Sequence, residues 1–186
     1  EKEPQLAPDA TAQEILDRQH MRIGIRTVRI QRQNAGGRPD FQWVINEHPL
    51  HIRGMTVLPV TLLPGNDKHE DYQRLVDAAV DMNCNLLRVH AAGYPPHRGF
   101  YEACDRRGLL IWQDFFFDRA YYPDRKGFVE SVRTEAEDIV RRLRNHPSLA
   151  LWCGNHRIDA LHKQGRLGTS RKFYGTAIYH NVLPIL

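Results

Sequence analysis

Polar side chains close three of the short apolar runs in this sequence. One run ends in Leu87-Arg88-Val89-His90, a second in Trp112-Gln113-Asp114, and a third is followed by Asn155-His156. A buried strand that ends on arginine, aspartate or asparagine holds polar groups that need partners. Because several strand ends agree, we favour a polar pocket over separate core pairs. A purely structural pairing of Arg88 with Asp114 remains the alternative.

Metal chemistry is not indicated by the histidines or the cysteines. The ten histidines include no His-Glu-x-x-His motif, and His156 and His162 have no associated carboxylate pattern. The three cysteines lack metal-ligand spacing and lie in or beside apolar stretches, so we interpret them as buried free thiols. The sequence therefore predicts no metal site and no cofactor.

Short apolar runs alternate with amphipathic helices over most of the chain. The runs lie near residues 55–60, 85–90, 109–114 and 149–153, and apolar residues recur at helical spacing between them. Runs that are apolar on both faces are typical of buried parallel strands. We predict an α/β fold, a partial (β/α)8 barrel of about four β/α units. An open doubly wound sheet fits the pattern equally well, but no glycine-rich phosphate loop follows any run.

A β-rich segment precedes the first of these runs and extends to about Arg53. The β-favouring residues of 22–31 predict a strand, and a slip in their alternation around Thr27 suggests a bulge. Residues 41–45 and 50–53 flank a polar turn and predict a hairpin.

Farther on, Asp67 and Glu70 have the spacing of a capping box at a helix start.

Composition bounds the class of protein. The chain has 186 residues, 41% hydrophobic and 26% charged, with a net charge of +4, which is typical of one globular domain or slightly more. No apolar run approaches the length of a membrane helix, so we expect no membrane partner. The densest basic cluster, residues 141–144, follows acidic residues on one predicted helix, which indicates a solvated mixed-charge face rather than a nucleic-acid site. The polar stretch Glu1–Asp17 is not a signal peptide, which favours the cytoplasm but leaves the location open.

Three segments together resemble glycoside hydrolase family 2, in particular its β-mannosidase-like members. They are FQWVINEHPLHIRGMTVLP (residues 41–59), NLLRVHAAGYPPHRGFYEACDRRGLLIWQDFFF (85–117) and VRRLRNHPSLALWCGN (140–155). The likeness covers residues 22–186. It implies that residues 1–40 end with the last strand of an immunoglobulin-like domain. Residues 41–186 would then form the N-terminal half of a catalytic TIM barrel.

The resemblance also implies a retaining mechanism, in which two carboxyl groups about 5–5.5 Å apart act as acid/base and nucleophile. The family's acid/base is the glutamate of an Asn-Glu pair just past strand four, and the matching pair here is His156-Arg157. Arginine stays protonated, so Arg157 cannot serve as a general acid. Asp159 could replace it only if the loop were rebuilt. The family's nucleophile follows strand seven, beyond the four strands predicted here, so we expect this chain to be inactive alone. The alternative is a noncatalytic carbohydrate-binding or interaction remnant.

The same resemblance assigns expected roles to the strand-end residues. Arg88 would support the catalytic centre, and Asp114 would contact sugar hydroxyls, with His90 and Trp112 beside them. Trp112 could stack on a sugar or belong to the barrel core. Asn155 could line the pocket or cap its strand. His156 would replace the asparagine that binds the sugar 2-hydroxyl. The expected partners are a β-glycoside and either the other half of a barrel or a second copy of the chain.

Overall fold

Two small sheets form the framework of the chain. A computed structural model describes residues 17–20, 23–33, 36–61, 63–168, 170 and 172–186. The first sheet is antiparallel and contains, in order, β1 (Val28–Gln33), β2 (Pro39–Ile45) and β3 (His48–Leu50). The second sheet is parallel and contains, in order, β4 (Gly54–Val57), β5 (Leu86–Val89), β6 (Leu110–Asp114) and β7 (Leu149–Cys153).

Helices connect and follow the parallel strands. They are α1 (His69–Asp81), α2 (Arg98–Arg107), α3 (Lys126–Leu143), α4 (Ile158–Lys163) and α5 (Ala177–Val182), of which α5 is π-helical and runs into a 3₁₀ turn, Leu183–Ile185. Each strand from β4 to β7 therefore pairs in parallel with the next across a helical connection. The predicted α/β fold of about four β/α units, a partial barrel after a β-rich segment, is confirmed.

The helices cover one face of the parallel sheet. Alternate residues of the strands, among them Leu87, Val89 and Ile111, are buried against apolar side chains of the helices, such as Tyr72 and Phe100. Strand residues that alternate with these point to the opposite face, because successive side chains of a strand point to opposite sides. The helix-covered face is the larger of the two cores, and it fixes the positions of the strand ends.

The antiparallel sheet covers the opposite face near the beginning of the parallel strands. Trp43 of β2 is buried with Leu86 and Leu110, which begin β5 and β6. The hairpin between β2 and β3 turns at Asn46-Glu47, whose φ angles of 48° and 65° place both residues in the left-handed region of a two-residue turn. The predicted hairpin is confirmed, but its second strand lies at His48–Leu50 rather than at residues 50–53. The hairpin covers the amino-terminal end of this face.

The predicted strand at residues 22–31 is partly wrong. β1 begins only at Val28, its irregular pairing lies between Gln31 and Gln33 rather than at Thr27, and Arg22 lies outside the described residues. Arg26 explains the difference, because its guanidinium donates to the carbonyl oxygens of Pro147 (Nε–O 2.7 Å) and Leu149. The alternation of apolar and polar residues breaks before β1, because this segment contacts the beginning of β7 instead of continuing the strand.

Gly24 contributes to the same contact. A Cβ atom at this position would lie 2.5 Å from Cβ of Pro147, so only glycine allows the backbone to approach so closely. The segment before β1 is therefore attached to β7 by close packing as well as by hydrogen bonds.

The predicted capping box is also wrong. α1 begins at His69 with Lys68 in the N-cap position, and no side chain caps it. Asp67 lies one residue too early, so its spacing to Glu70 does not correspond to the N-cap and N3 positions.

Charge pairing on α3 agrees with a solvated mixed-charge face. Arg142 lies 2.9 Å from Asp138, one helical turn away, with both side chains more than half exposed. None of the helices in the described ranges has the length and apolar character needed to cross a bilayer.

Among the strands that the structure describes, β4 and β7 are the edge strands of the parallel sheet, and neither pairs with a further strand. The carbonyl of Arg53 accepts from the backbone N–H of Leu86 in β5, and the carbonyl of Val57 accepts from that of His90 directly after β5. The alternating backbone groups of Gly54 and Thr56 therefore point away from the sheet. Unpaired strand edges promote association with other chains. We therefore predict that the purified chain self-associates as its concentration rises from about 5 to 200 µM, as measured by sedimentation velocity.

Thr56→Lys should weaken this association without lowering the melting temperature, because a charged edge opposes strand pairing. Thr134→Lys on the exposed surface of α3 is the matched control and should behave as wild type. A chain that remains monomeric over the whole concentration range would contradict the prediction.

Candidate sugar-binding site

An ion pair joins the carboxyl ends of β5 and β6. Nε of Arg88 lies 3.1 and 3.2 Å from the two carboxylate oxygens of Asp114, and Nη2 lies 2.9 Å from Oδ2. Asp114 is fully buried, whereas the Arg88 side chain is 24% exposed. The backbone N–H of Ala91 also donates to Oδ2 at 3.2 Å. The geometry is bidentate, which is the strongest arrangement for an arginine and a carboxylate.

The strand register brings the two partners together. Arg88 pairs with Trp112 across β5 and β6, and Asp114 pairs with Cys153 across β6 and β7. All of these residues lie toward the carboxyl ends of parallel strands, so they lie together at the carboxyl-terminal end of the sheet. In barrels the catalytic and binding residues lie at this end of the strands.

Trp112 supports the arginine from below. The Arg88 guanidinium lies 4.6 Å from the centroid of the indole ring, a cation–π distance. The same ring packs near Trp43, with centroids 6.5 Å apart, in the cluster beneath the hairpin. Trp112 is therefore a core residue whose ring positions Arg88.

His156 contacts the ion pair from the loop after β7. Its Nδ1 lies 2.7 Å from Nη2 of Arg88 and 3.4 Å from Oδ2 of Asp114. Because an arginine N–H can only donate, Nδ1 must accept and carries no proton. The ring is therefore neutral, with its proton on Nε2. Burial and the Arg88 charge lower the pKa of His156 below its usual value, while Asp114 and Asp118 oppose that shift.

His90 lies beside His156, with ring centroids 4.7 Å apart. Its Nδ1 accepts a hydrogen bond from the backbone N–H of Ala92 at 2.9 Å, so a neutral His90 also carries its proton on Nε2. Four of the expected site residues, Arg88, Asp114, His90 and His156, thus meet at one place, with Trp112 underneath.

Asn155, Arg157 and Asp159 do not join this group. The Asn155 amide donates to Oδ2 of Asp159, and Oδ1 of Asp159 lies 3.1 Å from Nε2 of His180 on α5. Arg157 is exposed and occupies the N-cap position of α4. In the segment after β7, only the His156 side chain therefore contacts the ion pair, whereas Asn155 and Asp159 contact each other and Arg157 is exposed.

Asp118 and Cys153 were missed as members of the site. Oδ1 of Asp118 is buried, forms no hydrogen bond, and lies 3.9 Å from Nε2 of His156 and 3.6 Å from Nε of Arg119. The only sequence signal was a carboxylate directly after three phenylalanines. Burial and the Asp114 charge raise the pKa of the Cys153 thiol, so it stays protonated. No group of three metal-ligating side chains occurs within the parts of the chain that the structure describes.

Asp114→Asn should lower the free energy of unfolding by about 2–3 kcal/mol, because it leaves the Arg88 charge without its buried carboxylate; partial exposure of Arg88 keeps the loss below that of a fully buried pair. Urea unfolding measures the change. Asp138→Asn, which breaks the exposed pair with Arg142, is the control and should cost less than about 0.5 kcal/mol. Equal losses for the two variants would show that the Arg88–Asp114 pair does not hold the strand ends together.

Known proteins with similar sequences include β-mannosidases. The chain is 36% identical over 174 residues to the β-mannosidase of Rattus norvegicus, covering 89% of this chain and 20% of that protein. It is 35% identical over 149 residues to β-mannosidase A of Aspergillus niger, covering 75% of this chain and 16% of that protein. The chain thus spans about one fifth of the curated relatives it matches. No family model matches the chain.

Solved structures agree on the fold. The crystal structure of a β-D-mannosidase from Dictyoglomus thermophilum superimposes with a TM-score of 0.84 at 39% identity, over 92% of this chain and 21% of that one. A Bacteroides uniformis β-glucuronidase matches with a TM-score of 0.58 at 19% identity, over 78% of this chain and 19% of that one, which supports the fold alone. By sequence and by structure, this chain belongs to the β-mannosidase-like members of glycoside hydrolase family 2.

Proposed function

We propose that these 186 residues form the sugar-facing wall of a β-mannosidase-like domain and that they do not hydrolyse a glycoside. Support for the wall comes from the place where Arg88, Asp114, His90 and His156 meet, at the carboxyl edge of the parallel sheet. The proposed ligand is a β-mannoside-like glycone, the class named by the relatives. Hydrogen-bond donors and buried carboxylates at such an edge are suited to sugar hydroxyls.

Arg157 carries the second half of the proposal. It stands where the family has its acid/base glutamate, and its exposed side chain begins α4. A general acid must hold and release a proton near the working pH, whereas a guanidinium is not deprotonated in proteins. Arg157 therefore cannot donate the proton that hydrolysis requires. This observation favours noncatalytic carbohydrate binding over turnover for the chain itself.

Neighbouring residues do not restore the missing acid. Both oxygens of Asp159 are engaged, one by Asn155 and one by His180 on α5. His156 is neutral, its Nδ1 accepts from Arg88, and its pKa is lowered, so near pH 7 it has no readily released proton for a leaving group. Each candidate replacement is thus held in another interaction.

The domain division also belongs to this proposal. Residues 1–40 would end an immunoglobulin-like domain, and residues 41–186 would form the first half of a catalytic barrel. The boundary at residue 40 falls within β2, which pairs with β1. The two parts would therefore share one antiparallel sheet. The open edges of β4 and β7 would receive either further barrel strands or a second copy of the chain.

We expect no turnover of nitrophenyl β-mannoside, β-galactoside or β-glucuronide by the purified chain, because Arg157 can neither protonate a leaving group nor act as the base that activates water in the second step of a retaining reaction. The measurement is a continuous absorbance assay at high protein concentration. The double change His156→Asn with Arg157→Glu should also be inactive, since a retaining site needs a second carboxylate. The matched control Arg144→Glu, on the exposed end of α3, should be equally inactive.

Turnover that follows the protein through repeated purification would contradict the proposal. In that case loss of activity in Asp159→Asn or His156→Ala would identify the acid that had been overlooked.

A further inference from the structure

His156 covers the ion pair that the proposed function assigns to sugar binding. Its side chain is only 9% exposed, and it contacts Nη2 of Arg88 at 2.7 Å. The ring also lies against His90. A ligand that uses the Nη2 group of Arg88 must therefore displace the imidazole ring first.

Charged and titratable groups face His156 from every element packed against it. They are Arg88 from β5, His90 directly after β5, Asp114 from β6, Asp118 from the loop after β6, and Cys153 from β7. Burial, Arg88 and His90 disfavour the imidazolium, whereas Asp114 and Asp118 favour it. The balance lowers the pKa of His156, which keeps the ring neutral near pH 7.

Protonation makes the present position of the ring unfavourable. A proton on Nδ1 would point at the N–H of Arg88, only 2.7 Å from nitrogen to nitrogen, so two donors and two positive charges would oppose each other. The nearest acceptor, Oδ2 of Asp114 at 3.4 Å, already accepts from Arg88 and from Ala91. The imidazolium must therefore either break the ion pair or leave it.

The backbone of His156 makes departure easier. Its φ of 50° lies in the left-handed region, which costs a residue with a Cβ atom about 1–2 kcal/mol. The contact with Arg88 offsets that cost in the neutral state. Loss of that contact leaves the cost without compensation from the side chain.

We propose that His156 is a gate over the sugar-facing wall: the neutral ring covers Arg88 and Asp114, and uptake of one proton at Nδ1 uncovers them. This inference rests on the proposed sugar binding and adds its regulation. Because the pKa of His156 is lowered, the wall stays covered near pH 7 and opens only as the pH falls through that lowered pKa. Binding of a neutral pyranoside therefore strengthens in acid.

The test is a titration with methyl β-D-mannopyranoside, followed by amide chemical shifts of the chain at pH 7.5 and pH 5.0. The wild-type dissociation constant should fall by about threefold to tenfold between these pH values, as the fraction of uncovered wall increases. His156→Ala should bind at pH 7.5 as tightly as wild type does at pH 5.0, without pH dependence. His156→Asn, which tolerates a left-handed backbone, should do the same if the alanine variant folds poorly.

Two histidine variants serve as controls. His48→Ala, exposed on β3, should keep the wild-type pH dependence. His51→Ala, exposed directly after β3, should keep it as well, because the gate depends on the contact between His156 and Arg88; a loss of pH dependence in either control would overturn the assignment to His156.

The remaining outcomes separate the gate from the proposed function. If His156→Ala binds the mannoside but wild type has equal affinity at both pH values, the gate is wrong and the sugar wall stands. If His156→Ala retains the wild-type pH dependence, the gate is likewise wrong. If neither protein binds the mannoside at either pH, the sugar wall is wrong and the gate falls with it.

Discussion

The buried carboxylate of Asp114 is the constraint around which this end of the molecule is arranged. A fully buried charge needs a partner, and Arg88 supplies it from the adjacent strand with two N–H groups. Trp112 lies under the guanidinium, Ala91 donates from the next loop, and His156 approaches from a third strand end. The ion pair thus determines how side chains pack at the carboxyl ends of the strands, and it forms part of the surface that a sugar would contact.

Much of this arrangement could be predicted from local sequence patterns. Apolar runs that are separated by amphipathic helices indicate parallel strands, and parallel pairing brings all carboxyl ends to one edge. Arg88 and Asp114 could be placed at that edge because each comes at the end of a run. The hairpin at Asn46-Glu47 could be predicted for a similar reason, since its polar turn separates two β-favouring stretches.

The features that could not be predicted depend on contacts distant in sequence or on loop conformation. The slip near Thr27 looked like a bulge, but Arg26 leaves the sheet to bond with residues more than a hundred positions away. Asn155 and His156 are neighbours in sequence, yet one turns toward Asp159 and the other toward Arg88. No periodicity determines which way the side chains of an irregular loop point. Asp118 was overlooked for the same reason, because it lies beyond its strand.

The bonds from Arg26 to the beginning of β7 have a consequence for the order of folding. They join positions 121 and 123 residues apart, so they close a loop that contains nearly the whole parallel sheet. Closing so long a loop has an entropic cost that local helices do not incur, and contacts of this kind slow folding. On the ribosome, the segment before β1 emerges long before its partner strand is synthesised. We therefore expect the docking of this segment onto the beginning of β7 to be among the last steps of folding.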